Sequence, residues 1–475
     1  MNDDLAFTPA IDLLRLIATK EISPVEITRL YINRIERLDT HLNSYLLSTA
    51  ELAMEQARRA ESELIAGSNI GPLHGLPISV KDSQMTKGIR TTLGSIALKD
   101  NIPTKDAAII EKVKSAGAII LGKTNLPEFG AVGTCENRLG DDGRNPWNTS
   151  YTPGGSSGGA AAAVAAGLCA LATGGDGGGS IRIPASFCGI YGIKPTQGRV
   201  SGFSGVEGGP VIPNMFGQPG PLSRTVADSA LLLNIIAGHD PRDPTTARKP
   251  VPDFMSSVNR DIKDLRIAWS PNYGFASVDP EVIDVCYKAV MIFEQLGCHV
   301  EETSLTLESP YDAYGPIYEV DAYMSYDQYY QSHKDKLTHF AKYFIECGSG
   351  ISAVQYSKAL GLIDVLKSKM NTFFCEYDLL ISPTLSVAGI PVGEFPSEIA
   401  GYPSYPHKYF GFHPFTYPIN AVGCTAASIP AGFSSEGLPI GLHIVGRKWE
   451  EEIVLAASAA LEKANPWIGF RPQIS

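Results

Sequence analysis

Two serine sites framed by glycines stand out: GGSSGG at 154–159, which holds Ser156 and Ser157, and GGDGGGSIR at 174–182, which holds Ser180. A serine hydroxyl becomes a nucleophile only with a base in hydrogen-bond reach and donors placed for the oxyanion that follows. Gly177, Gly178 and Gly179 run directly into Ser180. Glycine takes positive φ freely and allows close approach, so successive N–H groups in such a loop can converge on one anion-sized hole. The base need not be histidine. Lys81 closes the apolar run Leu76 to Val80, and a lysine desolvated at a strand end gives up its proton readily because burial disfavours the ammonium. The plainer reading of Lys81 is a solvated charge at a strand exit. Spacing alone pairs Lys81 with neither serine.

Other chemistries fit less well. GSSGG at 155–159 matches G-x-S-x-G with Ser157 at its centre, but a nucleophile elbow needs a strand directly before the serine, and NPWNTSYTPG is turn chemistry. No S-x-x-K and no G-x-G-x-x-G occurs. GAIILGKT at 117–124 has the spacing of a phosphate-binding loop. Its four inner residues form an apolar strand, however, and Pro127 follows where the helix should begin. A purely structural role for the glycine loops stays open. The nine histidines are dispersed without an H-E-x-x-H pair, so no catalytic metal and no cofactor is expected.

The elements that must hold these residues alternate between strand and helix. Ser23-Pro24 with Glu26 reads as a helix N-terminus, and Leu52 to Ile65 continues in helical spacing. Strands are expected at Leu76–Val80, Ala118–Gly122, Arg266–Trp269, Val300–Thr303, Leu379–Ile381 and Ile440–Val445. Helices are expected at Asp106–Ala116, Leu222–Ala237, Pro280–Leu296 and Glu452–Ala464. This alternation predicts an α/β layered fold. Tyr311, Tyr314, Tyr318, Tyr323, Tyr326, Tyr329 and Tyr330 recur at three-and-four spacing, either packed on the body or forming a substrate wall. The proline-broken aromatic loop at 402–417 carries the same two readings.

Over 475 residues, 44% are hydrophobic and 19% charged, which suits a large core. A net charge of -11 argues against nucleic acid or an anionic membrane as partner. The small-apolar run Ala160 to Ala172 is too short to cross a bilayer. The acidic start MNDDLAF lacks the basic region of a secretory signal. Eight scattered cysteines form no C-x-x-C, which suits a reducing cytoplasm.

GLPISVKD at 75–82, PGGSSGGAAAAVAAG at 153–167 and GGDGGGSIRIPASFCGIYGIKPT at 174–196 closely resemble the amidase signature family. The resemblance continues through GPLSRTVAD, YDLLISPT and GLPIGLHIVG at 437–446, and so covers most of the chain. It implies one α/β/α domain over 1–475: a mixed, twisted central sheet with helices on both faces, a helical segment at 1–66, a core at 67–240, a lid-like portion at 241–400 and a closing core part at 401–475. It implies a Ser–cis-Ser–Lys triad, with Ser180 as nucleophile, Ser156 bridging in a cis peptide and Lys81 as base. The N–H groups of Gly177, Gly178, Gly179 and Ser180 would form the oxyanion hole. Asp176 and Arg182 flank the nucleophile and read as loop-fixing hydrogen-bonders, with substrate contact by Arg182 as the alternative.

One branch of that family is the glutaminase component of a tRNA-dependent amidotransferase. That branch holds the glutamine carboxylate with a later arginine, and here no arginine occurs between Arg266 and Arg447. The resemblance therefore points to broad-specificity amidases and arylamidases acting on small neutral amides with water, esters and carbamates being open to the same chemistry. Val211, Ile212, Met215 and Phe216 are candidate residues of an apolar acyl or aryl pocket, or ordinary core. The chain is expected as a monomer or homo-oligomer.

Overall fold

The computed structural model describes residues 3–68, 70–206 and 215–474. Strands in chain order are β1 (Tyr45–Ser48), β2 (Pro77–Lys81), β3 (Ile119–Thr124), β4 (Leu171–Asp176), β5 (Tyr191–Lys194), β6 (Gln218–Ser223), β7 (Arg266–Trp269), β8 (His299–Glu302), β9 (Leu379–Pro383), β10 (Glu398–Ile399), β11 (Tyr402–Pro403), β12 (Thr425–Phe433) and β13 (Pro439–Gly446). All but β10 and β11 join one sheet in the order β1-β3-β2-β4-β6-β5-β12-β13-β9-β7-β8. β2 pairs parallel with both β3 and β4, and β7 pairs parallel with β8 and β9. The remaining ladders are antiparallel, so the sheet is mixed. Helices cover its two faces, as the α/β/α expectation required.

The central strands β2, β3, β9 and β13 are buried along their whole length, which explains their near-continuous apolar runs. GAIILGKT lies mostly in β3, with Lys123 buried inside it, and forms no loop. The helix Pro24–Leu42 starts as its sequence dictates: Ser23 accepts from Val25 N–H, and Glu26 reaches back to the Ser23 N–H.

Two differences have physical causes. The helix expected from Leu222 begins only at Val226, where Thr225 Oγ1 accepts from Asp228 N–H. The residues before it form β6, which bridges β4 and β5 and buries Leu222 between them. β4 and β12 were not expected, because their Ala, Gly, Thr and Ser content masks strands that are buried by pairing on both edges; β5, YGIK, was not expected because it is only four residues long with a glycine inside it. Among the described residues no helix is long and apolar enough to cross a membrane.

Candidate active site

β2 and β4 run parallel side by side inside the sheet, so Lys81 and Asp176, their last residues, emerge at the same end of the strands. Lys81 is 3% exposed. Its Nζ donates to Ser156 Oγ at 2.7 Å and to Gly175 O at 3.3 Å. Burial pushes the ammonium down to about 7, against an opposing pull from Asp176 and Cys135. Ser156 is buried in the loop ahead of the helix Gly158–Ala165, and the Gly155–Ser156 peptide is cis. The adjacent Ser157 ties the two glycine loops together. Its N–H donates to Ser180 O at 3.0 Å, and its hydroxyl lies 3.3 Å from Gly175 O and Gly175 N. Ser180 is half-buried, and among the described residues its hydroxyl has no hydrogen-bond partner.

The glycine loop is held peptide by peptide. Asp176 O accepts from Asn420 Nδ2 at 3.0 Å, and Gly177 O accepts from the Tyr314 hydroxyl at 2.9 Å. Gly178 O accepts from Thr416 Oγ1 at 2.7 Å, and Gly179 O accepts from Ile183 N–H at 2.7 Å. Gly179, with φ at +129°, needs the freedom of glycine. One expectation is corrected here. The Gly179 N–H does not open to the site, because it donates to Asp176 Oδ1 at 2.8 Å. The amides without a partner among the described residues are those of Gly177, Gly178 and Ser180.

Asp176 can take that amide because Arg182 meets it through a two-pronged contact, Nε to Oδ2 and Nη2 to Oδ1, each 2.9 Å. Burial works to raise this carboxyl, but the Arg182 guanidinium overrides it and holds the group well below the usual carboxylate range. Arg182 is itself fully buried, with further contacts to His443 Nε2, Thr416 O and Asn420 Oδ1. It fixes the loop and does not line the cavity.

That cavity, about 210 Å³, is lined by Lys81, Ser156, Gly177, Gly178 and Ser180 on one side and by aromatic side chains on the other. Its aromatic lining is Phe129, Phe203, Tyr314, Tyr318, Tyr326, Tyr409 and Phe410. Three of these come from the helix Pro310–His333 and two from the loop before the helix Tyr417–Val422. Phe129 and Tyr326 stack at 4.1 Å, and the Tyr318 hydroxyl donates to Ala131 O at 2.7 Å. His413 also lines the cavity, but burial pushes it down to about 3 and both its ring nitrogens are engaged, with Thr416 Oγ1 and Tyr409 O.

The pocket residues expected from sequence fare differently. Val211 and Ile212 lie outside the described residues. Met215 is exposed and Phe216 is buried, and neither lines the cavity. Phe216 stacks instead against Tyr314 at 4.7 Å and backs the wall. Tyr314, Thr416 and Asn420 were missed as loop supports. Only the tyrosine periodicity gave any sign of one of them. Among the described residues no group of three or more His, Cys, Asp or Glu side chains converges as a metal site.

The sequence pattern of the amidase family matches residues 26–455. The chain is 38% identical to a glutamyl-tRNA(Gln) amidotransferase subunit of Moorella thermoacetica over 99% of both chains. It is 35% identical to an acylamidase of Rhodococcus erythropolis, covering 99% of this chain and 98% of that one. The solved structure of a bacterial aryl acylamidase superposes with a TM-score of 0.91 at 34% identity, covering 97% of each chain. With matches that span nearly its whole length, the chain belongs to the amidase signature family.

Proposed function

We propose that the chain is a serine amidohydrolase that cleaves carboxamide C–N bonds through an acyl-enzyme on Ser180. The observation that carries this reading is the 2.7 Å contact between a buried, readily deprotonated Lys81 and Ser156, beside a free Ser180 hydroxyl and three unpartnered amides among the described residues. Neutral Lys81 takes the Ser156 proton as Ser156 takes that of Ser180. The Ser180 oxygen attacks the carbonyl carbon, and the amides of Gly177, Gly178 and Ser180 receive the oxyanion. Ser156 returns a proton to the departing nitrogen. Water then enters by the same relay and releases the acid.

The cavity favours small neutral substrates. Its aromatic wall suits aryl or alkyl groups. Lys81 is the only lysine or arginine lining it among the described residues, and the one carboxylate, Asp176, is committed to Arg182. Esters and carbamates pass through the same tetrahedral chemistry.

A second reading, a glutaminase component within an amidotransferase, is favoured by the likeness to the Moorella protein. The absence of any arginine between positions 266 and 447 weighs against it, because a carboxylate clamp from that region has no donor. The purified chain, supplied with an aryl amide and neither ATP nor tRNA, decides between them. Steady turnover is expected, and its absence beside glutamine hydrolysis only in a complex would favour the second reading. Ser180→Ala should lower turnover by roughly three orders of magnitude or more, since only binding and the oxyanion site remain. Near-parental activity in that variant would end the assignment.

A further inference from the structure

We infer that Tyr314 is a positioning residue for the oxyanion-binding loop, acting through its hydroxyl while its ring forms the substrate wall; this rests on the amide-hydrolysis reading above. In a trans peptide the C=O and N–H lie on opposite edges of one plane. Fixing the carbonyl therefore aims the amide of the next residue. The Gly177 amide is aimed by Asn420 Nδ2 on Asp176 O, and the Ser180 amide by Ile183 N–H on Gly179 O. The Gly178 amide is aimed by the Tyr314 hydroxyl on Gly177 O, at 2.9 Å. Two of these three holds are made by side chains, Asn420 and Tyr314, and of the two only Tyr314 lines the cavity; Ile183, which also lines it, holds through its backbone.

The following peptide shows what a fully fixed plane looks like. Its carbonyl, Gly178 O, takes Thr416 Oγ1, and its amide, Gly179 N–H, takes Asp176. The Gly177–Gly178 plane has no such second hold among the described residues, so its orientation rests on Tyr314. The ring is itself held: Phe216 stacks on it at 4.7 Å and Tyr318 at 5.5 Å. Gly178 lets the hydroxyl come close, because a Cβ there would stand 2.7 Å from it. The substrate wall and the oxyanion donor thus share one residue.

Tyr314→Phe keeps the wall and removes the hold. Losing an oxyanion donor outright costs about a hundredfold to a thousandfold in kcat; loosening one should cost roughly tenfold, with KM within about twofold of the parent. An aryl trifluoromethyl ketone, which adds to the Ser180 oxygen and places a tetrahedral anion in the loop, should bind roughly tenfold more weakly. A non-hydrolysed aryl sulfonamide, which reports the wall alone, should bind as in the parent. Tyr330→Phe is the control: it lies on the same helix, its hydroxyl donates to Glu346 Oε1 and it does not line the cavity, so its kcat and ketone affinity should stay near parental. The inference is overturned if Tyr314→Phe matches the parent in kcat, if its loss lies in KM or sulfonamide binding, or if Tyr330→Phe reproduces it. A parent that turns over no aryl amide and binds no ketone overturns the hydrolase reading and this inference together. An active parent matched by Tyr314→Phe overturns this inference alone.

Discussion

Replacing Lys81 with methionine should abolish activity and stabilise the protein, and the second effect can be sized. Burial moves the Lys81 ammonium from its ordinary 10.5 to about 7, and at about 1.4 kcal/mol per pH unit this is roughly 5 kcal/mol against the protonated form. The unfolded chain holds that proton up to about pH 10.5, whereas the folded chain holds it only below about pH 7. Between those limits the unfolded state binds more protons, so the parent gains stability as pH rises. At pH 7 and below, nearly the whole penalty weighs on folding. Methionine, unbranched and of similar reach, removes it. The cost is the orphaned Ser156 hydroxyl, which loses its 2.7 Å partner and so gives back about 1–3 kcal/mol. The net gain at pH 7 is about 2–4 kcal/mol, and it should shrink by about 3 kcal/mol at pH 9.5. Urea unfolding of both proteins at the two pH values measures this directly. The parent's kcat/KM should fall on an acid limb near pH 7, to about a tenth of its plateau at pH 6. A methionine variant less stable than the parent at pH 7, or a gap that does not change with pH, would refute the reasoning.

Two further perturbations test the scaffold. Asp176→Asn leaves the buried Arg182 guanidinium without its counter-charge and should cost about 3–5 kcal/mol in urea unfolding. Because Asp176 pulls the Lys81 ammonium up, the same variant should move the acid limb of the rate profile to lower pH; a shift to higher pH would contradict that. Gly159→Ala should destabilise by about 1–3 kcal/mol or more, because its Cβ would run into the backbone of Ser44 and Asn125, the latter's oxygen at 2.8 Å. An unchanged unfolding midpoint there would show that the glycine is not required by space.

Much of the sheet was legible because its strands are short apolar runs between turn residues. Arg266–Trp269 was placed to the residue, and β2 within one position at each end. β4 was not legible: LATGGD is poor in β-branched and aromatic residues, and its strand character comes from neighbours on both edges. Ser180 and the pair Ser156 and Ser157 were nominated by type and by glycine context, and Lys81 by its place at a strand end; the resemblance to the amidase signature family joined Lys81, Ser156 and Ser180, and the parallel pairing of β2 with β4 is what brings Lys81 to the glycine loops. The cavity wall was harder to read. Phe216 had the right chemistry and faces the wrong side of Tyr314. Tyr314 itself was one of seven equivalent tyrosines until the helix Pro310–His333 showed which of them turn inward. The Gly179 amide was expected in the oxyanion hole because sequence shows four consecutive donors and cannot show that the carboxylate just before them claims one.

Charge perturbation by itself would have nominated three bases. Burial pushes Lys81, Lys123 and Lys194 alike to about 7. What separates them is company. Lys123 Nζ is surrounded by Gln84 O, Thr86 Oγ1 and Thr91 Oγ1, with Asp82 at 3.9 Å, a set of acceptors that solvates an ammonium and offers it no route to solvent or substrate. Lys194 Nζ turns back onto its neighbour's carbonyl, Pro195 O, at 2.8 Å. Neither lines the cavity. Lys81 alone combines a weakened hold on its proton with a hydroxyl at 2.7 Å and an open face towards a second hydroxyl's cavity. A base is defined by where its proton can come from, so Ser156 and the cavity, more than the depressed basicity, single out Lys81. Of the three lysines, only its replacement should remove the acid limb along with the activity.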